Sequence, residues 1–303
     1  MLGTRVFSGL CLIAVLLGVL CLDEWFAPWF PLWLLLSVLA MGAAAVELAG
    51  LLAAAGCRPS MNSVLGGVMA IVAANWMPHL ADFLNARAQP SLLATEPPEP
   101  LAVLSWPLLT FVGVLMVSFV VQSVQFVKPG RTMATIASTL LVVAYIGLLG
   151  TFVVQMRWLE GPYHGLVPLI MLIATAKGAD TGAYTVGRMA GKHKLWPRLS
   201  PNKTIEGAVG GMLFAVLAAL LVTATARDLL HLPALSGPAA VGFGLLVGLA
   251  AQLGDLMESM IKRDSERKDA SSAVPGFGGV LDVLDSLLFA GPVGYAYWVA
   301  IGP

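Results

Sequence analysis

Charged residues are scarce in this sequence of 303 residues. They make up 11% of the chain, while hydrophobic residues make up 58%, and an average soluble domain carries about 25% charged residues. So few charges exclude the surface composition of an ordinary soluble protein. Apolar runs recur along the chain, and each is long enough to cross a hydrocarbon layer of about 30 Å as a helix. The composition therefore predicts an all-α, polytopic integral membrane protein that spans the bilayer several times.

Cysteines are also few, and several catalytic motifs are missing. Cys11, Cys21 and Cys57 have spacings that match neither a metal site nor a disulfide framework, so we interpret them as small apolar residues. Neither a Gly-x-Ser-x-Gly nucleophile nor a Walker-type Gly-Lys-Ser/Thr loop is present. The 17 basic and 17 acidic residues cancel, so charge gives no reason to expect a nucleic acid partner.

Nine apolar segments are candidates for membrane-spanning helices. We divide them into N-terminal transmembrane helices (1–155) and a C-terminal transmembrane catalytic region (156–303). The second segment is long enough to be two short helices instead. The candidates are 6–22, 29–55, 62–80, 102–127, 132–155, 163–188, 205–226, 238–262 and 279–301.

The basic residues give the orientation of these segments. If nine spans begin on the cytoplasmic side, thirteen of the 17 basic residues lie in cytoplasmic segments and three in outer ones, with Lys177 inside a span. Short cytoplasmic loops retain Lys and Arg, so this bias supports both the odd number of spans and a cytoplasmic N-terminus. The sequence shows no internal repeat, so it lacks the inverted repeats of many secondary transporters.

A stripe of polar residues lies along one face of the apolar segment 238–262. Asp255, Glu258, Ser259 and Lys262 have the i, i+3, i+4, i+7 spacing of a single helix face. A helix end that reaches toward the membrane surface would explain Lys262 and Arg263. It explains the two carboxylates poorly, because ionisable groups at membrane depth are costly and usually mark function.

A glycine-rich loop follows and leads into the last apolar segment. Its glycines, Gly276, Gly278 and Gly279, stand just before a predicted helix start, where free backbone N–H groups can approach phosphate oxygens. Two acidic residues, Asp282 and Asp285, follow this loop. An alternative interpretation is that acidic residues at a helix start only complement the helix dipole.

Asp282 and Asp285 in the first turn of that helix share a face, because they are three residues apart. Together with Asp255 they would form an oxygen-rich site suited to Mg²⁺, which binds through a few carboxylates and substrate phosphates. We therefore predict that Asp255, Asp282 and Asp285 bind Mg²⁺.

A second charged window lies between residues 177 and 206. Lys177 and Asp180 occur within an apolar segment rich in small residues, which favours a helix that lines a cavity. Ser200 and Thr204 begin the next segment, and their hydroxyl groups could simply cap it. Lys203 lies between them and is a candidate phosphate ligand.

These motifs together resemble the phosphatidate cytidylyltransferase (CDP-diacylglycerol synthase) family. The segments Ser200-Pro201-x-Lys203-Thr204-x-Glu206-Gly207 and Gln252-x-Gly254-Asp255 are similar to the family, as is Glu47 in an early span. The chain has Phe277 where the family commonly has His, and Val283 where it commonly has Arg. The C-terminal motif runs Ser259-x-x-Lys262-Arg263-x4-Lys268-Asp269, then Pro275-Gly276-x-Gly278-Gly279-x-x-Asp282-x-x-Asp285.

The resemblance implies a reaction and its participants. CTP and phosphatidate would give CDP-diacylglycerol and pyrophosphate with Mg²⁺, at a cytoplasmic site in a bacterial-type inner or plasma membrane, in a chain that could form a homodimer. Alternatives are a CTP-dependent polyprenol or lipid kinase and a non-enzymatic transporter or scaffold. The implied catalytic residues are Asp255, Asp282, Lys262 and Lys203. The implied substrate-binding residues are Ser200, Thr204, Ser259, Arg263, Lys268, Asp269, Gly276, Gly278, Gly279, Lys177 and Asp180.

Overall fold

A computed structural model describes residues 2–80, 102–159 and 165–302. Within these ranges the chain forms ten α-helices and one two-stranded β-hairpin. The helices are α1 (Leu2–Asp23), α2 (Pro31–Ala54), α3 (Met61–Ala74), α4 (Ser105–Val124), α5 (Thr132–Val142), α6 (Leu149–Gln155), α7 (Leu166–Ala190), α8 (Ile205–Ala224), α9 (Gly237–Asp264) and α10 (Leu281–Ile301). The strands are β1 (Lys194–Trp196) and β2 (Ser200–Thr204).

Short helical turns extend several of these helices. The π-helical turn Val143–Leu148 joins α5 to α6, so both belong to one membrane-length segment. A second π-helical turn, Thr225–Leu229, extends α8. The 3-10 turns are Glu24–Phe26, Ala102–Leu104 and Met156–Trp158.

The predicted all-α membrane class is confirmed. Among the described residues, eight helical segments are long and apolar enough to cross a membrane, close to the nine predicted. The difference is the candidate 62–80, where the apolar helix Met61–Ala74 has only 14 residues. The long second candidate is one helix, Pro31–Ala54, and not two.

Small residues bring α7 and α8 very close together. A Cβ added at Gly182 would lie 2.5 Å from Phe214 Cβ and 2.7 Å from the backbone oxygen of Gly210. A Cβ added at Gly210 would lie 2.4 Å from Val186 Cβ. Membrane helices associate through such small-residue contacts, because lipid provides no hydrophobic force between them. This contact fixes the two helices that flank the second charged window.

The β-hairpin connects α7 to α8 at one end of the bundle. Its strands are antiparallel and pair Lys194 with Thr204 and Trp196 with Ser200. The side-chain oxygen of Thr204 accepts a hydrogen bond of 3.1 Å from the Gly207 N–H, so Thr204 caps α8 as the capping interpretation predicted. Glu206 accepts hydrogen bonds from the backbone N–H groups of Lys192 and His193, which holds the start of the hairpin against α8.

The buried Arg157 lies at the end of the segment that α5 and α6 form. It pairs with Glu24, and its guanidinium carbon lies 3.9 Å from the ring centroid of Phe30. Asp23 accepts hydrogen bonds from the backbone N–H groups of Leu32 (3.0 Å) and Trp33 (2.7 Å). Each of these contacts provides a partner for a charged group within an apolar bundle, where an unpaired charge would be costly.

We predict that Gly182→Ala destabilises the protein by about 1–3 kcal/mol, because the added methyl group would overlap Phe214 and the Gly210 carbonyl. The measurement is thermal unfolding of purified protein in detergent. Gly66→Ala is the matched control, because a Cβ there meets nothing within 4 Å. Equal stability of the two variants would contradict the proposed tight contact between α7 and α8.

Candidate active site

Three lysines and five carboxylates from four parts of the fold meet at one site. Helix α7 provides Lys177 and Asp180, β2 provides Lys203, α9 provides Asp255, Glu258 and Lys262, and α10 provides Asp282 and Asp285. Each of the eight residues takes part in at least one ion pair within 4.0 Å. The polar stripe, the start of the last helix and the second charged window therefore meet in the structure.

Lys262 connects α9 to the start of α10. Its Nζ atom lies 2.5 Å from Glu258 Oε2 and 2.7 Å from Asp282 Oδ1. Glu258 is fully buried and lies one helical turn before Lys262, so a single ammonium group pairs with one carboxylate on its own helix and with one on the neighbouring helix.

The other two lysines hold the remaining carboxylates. Lys203 Nζ lies 2.8 Å from Asp255 Oδ2. Lys177 Nζ lies 3.0 Å from Asp180 Oδ2, 2.8 Å from the Ser286 hydroxyl and 4.0 Å from Asp285 Oδ1. The Ser286 hydroxyl in turn donates to Asp180 Oδ2 at 2.9 Å. This network joins α7 to α10 inside the bundle.

A trio of carboxylates forms the centre of the site. One oxygen from each of Asp255, Glu258 and Asp285 lies within 4.8 Å of the other two. Glu258 Oε1 is buried and makes no hydrogen bond within the described part of the chain. A buried acceptor without a partner normally requires an explanation, and carboxylate oxygens are protein ligands that Mg²⁺ uses together with substrate phosphates. The described geometry is therefore suited to a divalent cation.

Glu258 belongs to this trio although the sequence interpretation placed it only in the polar stripe. A signal for it was present, because Glu258 lies three residues after Asp255 and four before Lys262. That spacing puts it between them on the same helix face. The prediction chose Asp282 as the third ligand instead.

Asp282 lies beside the trio and has its own partners. Its Oδ1 accepts from Lys262, and its Oδ2 accepts from the backbone N–H groups of Gly279 (2.7 Å) and Ala270 (3.0 Å). Both oxygens therefore hold protein groups. The predicted role of Asp282 in metal binding is not tested by these contacts, which show it fixing the loop and Lys262.

The glycine-rich loop has the backbone conformation that its glycines allow. Gly276 and Gly278 have positive φ angles of 86° and 104°, which residues with a Cβ rarely adopt. The N–H groups of Gly279, Val280 and Leu281 are all occupied by carboxylates of the protein itself. The hypothesis that these helix-start groups are free for phosphate therefore does not match the described contacts.

The other predicted binding residues differ in their contacts and exposure. Arg263 donates to the Leu199 carbonyl at 3.3 Å, which ties α9 to the hairpin. Ser259 is half-buried, whereas Lys268 and Asp269 are exposed on the loop after α9. Ser200 belongs to β2.

The structure also gives the locations of Phe277 and Val283, the two residues that depart from the family motif. Phe277 lies against α1, since a Cβ added at Gly9 would lie 3.5 Å from its ring. Val283 is half-buried in the first turn of α10.

A cavity of about 430 Å³ opens next to the trio, between α7, α8, α9 and the hairpin. Asp180, Lys203 and Asp255 line the part that the cavity shares with the charged site. Four of the polar or charged lining residues were not among the site residues predicted from the sequence. They are Tyr184, Arg188, Asn202 and Gln252. The first two occur four and eight residues after Asp180, so helical periodicity could have found them.

Fold and site together define a multi-pass membrane protein with an ionic centre beside a cavity. The chain belongs to the cytidylyltransferase family, whose sequence model matches residues 3–301. The resemblance inferred from the sequence motifs is thereby confirmed.

Curated relatives named phosphatidate cytidylyltransferase are similar to part of the chain. The Staphylococcus aureus (strain COL) protein is 37% identical over 182 residues, which are 60% of this chain and 66% of that protein. The Bacillus subtilis (strain 168) protein is 36% identical over 169 residues, or 56% of this chain and 60% of that protein. The chain thus spans slightly less than two thirds of the length of these relatives.

We predict that Lys262→Met lowers the free energy of unfolding by about 3–5 kcal/mol, because it leaves buried Glu258 without its cation. In a Glu258→Gln background the same change should cost about 1–3 kcal/mol less. Unfolding in detergent measures both costs. Lys268→Met, at an exposed lysine, is the control, and equal costs in the two backgrounds would show that Lys262 and Glu258 are not coupled.

Proposed function

We propose that this protein transfers the cytidylyl group of CTP to phosphatidate, producing CDP-diacylglycerol and pyrophosphate. The observation that carries the proposal is the lysine and carboxylate site within a chain that matches the cytidylyltransferase family over residues 3–301. Relatives at 36–37% identity carry the name phosphatidate cytidylyltransferase. A lipid substrate also fits a catalytic chain whose helices are long and apolar enough to span a membrane.

The cavity beside the trio is the proposed place for the nucleotide. It reaches from the charged site to the hairpin, and its polar residues include Asn202, Tyr184 and Arg188. Its volume of about 430 Å³ lies within the range of about 300–1,000 Å³ usual for small-molecule sites. Lys203 at its inner end would face the phosphates.

The reaction needs positioning more than a strong base. A phosphatidate oxygen attacks the α-phosphorus of CTP, the bond from that phosphorus to the β-phosphate oxygen breaks, and pyrophosphate leaves with the electron pair. A phosphate monoester has a second pKa of about 6, so it is already anionic at neutral pH. Lys203 and Lys262 would offset the repulsion between the polyanions and stabilise charge in the transition state.

Mg²⁺ is the proposed cofactor, held by Asp255, Glu258 and Asp285. When bound, it would neutralise phosphate charge and polarise the reacting phosphoryl group. The charge count supports one divalent cation. Five carboxylates against three lysines leave two negative charges uncompensated when all eight groups are ionised. Asp282 would act by holding Lys262 and the loop.

The proposed site opens toward the cytoplasm, where CTP is available. Support comes from the distribution of basic residues, which concentrate in the hairpin and in the loop between α9 and α10. Both segments lie on the predicted cytoplasmic side. The corresponding location is the bacterial inner or plasma membrane.

We predict that purified protein in detergent converts radiolabelled CTP and phosphatidate to CDP-diacylglycerol and pyrophosphate with Mg²⁺. Asp285→Asn should lower this rate by at least about 100-fold, because it removes a charge from the trio. Asp264→Asn is the matched control, since Asp264 is exposed at the end of α9, and it should retain wild-type activity.

The products decide between the proposal and its alternatives. A phosphorylated lipid alcohol with CDP would identify a kinase, and an absence of CTP turnover across several divalent metals would favour a transporter or scaffold. Either outcome from a folded wild-type protein would overturn the proposed function.

A further inference from the structure

Glu47, on α2 in the N-terminal half of the chain, directly contacts the loop between α9 and α10. Its Oε1 accepts hydrogen bonds from the Ser271 hydroxyl (2.6 Å) and from the Val280 N–H (3.1 Å). Its Oε2 accepts from the Leu281 N–H at 2.7 Å. A single carboxylate therefore holds both the middle of the loop and the first turn of α10.

This carboxylate occupies the position where a helix normally binds an anion. Free N–H groups and the helix dipole favour negative charge at a helix N-terminus. Glu47 satisfies two of those N–H groups, and Asp282 accepts from a third, that of Gly279. The start of α10 is thus closed by protein carboxylates, and its geometry is fixed from two sides.

Gly279 makes the approach of Glu47 sterically feasible. A Cβ added at Gly279 would lie 2.4 Å from Glu47 Oε2, 2.7 Å from its carboxyl carbon and 2.8 Å from its Oε1. Each of the three nearest atoms belongs to Glu47. The absence of a side chain at this position therefore serves the contact with α2.

The contact reaches the charged site through Asp282. Gly279 and Ala270 donate to Asp282 Oδ2, and Asp282 Oδ1 receives Lys262. Lys262 in turn pairs with Glu258, the buried carboxylate of the trio. A displaced loop would move Asp282 and, with it, the ammonium group beside the trio.

We propose that Glu47 is a positioning residue for the reaction, fixing the loop between α9 and α10 so that Asp282 and Lys262 keep their places beside the carboxylate trio. The proposal rests on the proposed function for its kinetic consequences, while its structural part is independent of it. It also makes the N-terminal helices a part of the catalytic unit rather than an anchor alone.

The first experiment compares Glu47→Gln with Glu266→Gln, an exposed glutamate on the same loop. Glu47→Gln should lower kcat for CDP-diacylglycerol formation at least tenfold and change the KM for phosphatidate less than twofold. Trypsin should cleave at least fivefold faster after Arg267 and Lys268, which are exposed on the loop. Cleavage in the hairpin, after Lys194, should keep its wild-type rate, and the control should match wild type in every respect.

The second experiment is a double-mutant cycle. Gly279→Ala alone should reproduce the loss of kcat, because its methyl group would displace Glu47. In a Glu47→Ala background, which vacates that space, Gly279→Ala should cost less than twofold. The cycle measures the effect of Gly279→Ala on kcat with and without the Glu47 side chain. It therefore remains informative if either single variant is less stable.

The outcomes separate this proposal from the proposed function. Wild type that forms no CDP-diacylglycerol overturns the proposed function, and the trypsin comparison still tests the position of the loop. Active wild type with an unchanged kcat in Glu47→Gln overturns the positioning role. So does a kcat loss with wild-type cleavage after Arg267 and Lys268, or a full Gly279→Ala effect in the Glu47→Ala background.

Discussion

The ion pairs between three lysines and five carboxylates are the interaction on which the structure of the site depends. Charged groups inside a membrane bundle are expensive unless they are paired. Lys262 pairs with Glu258 and Asp282, Lys203 pairs with Asp255, and Lys177 pairs with Asp180. These pairs allow the trio of carboxylates to exist within a chain that is 58% hydrophobic.

Other contacts in the fold keep these charged residues in position. Glycines bring α7 and α8 into close contact, and Asp180 from α7 and Lys203 from the hairpin line the same cavity. The hairpin places Lys203 at the start of α8, and Arg263 ties α9 to that hairpin through the Leu199 carbonyl. Glu47 fixes the start of α10 from the opposite half of the chain. Helices that are far apart in sequence therefore contribute to one small polar volume.

Much of this arrangement could be predicted from the sequence, because it depends on local spacing. Hydropathy located eight of the membrane-length segments, and helical periodicity placed Asp255 and Lys262 on one face of α9. The cap formed by Thr204 followed from the usual chemistry of helix starts. In each case the signal lies within one continuous segment of the chain.

The remaining features depend on how separate helices face each other, which spacing alone does not determine. Asp282 and Asp285 are equally plausible ligands in sequence, yet only Asp285 joins Asp255 and Glu258. The N–H groups at the start of α10 look free in sequence because their acceptor, Glu47, lies more than 230 residues earlier. Orientation between α9, α10 and α2 decides both features.

The most direct test of the central claim is an experimental structure of the full chain with bound Mn²⁺, located by its anomalous scattering. We expect one ion at about 2.0–2.3 Å from oxygens of Asp255, Glu258 and Asp285, the usual range for carboxylate ligands of such cations. Asp282 should still hold Lys262 and the Gly279 N–H. An ion bound through Asp282, with Glu258 outside its coordination sphere, would contradict the account.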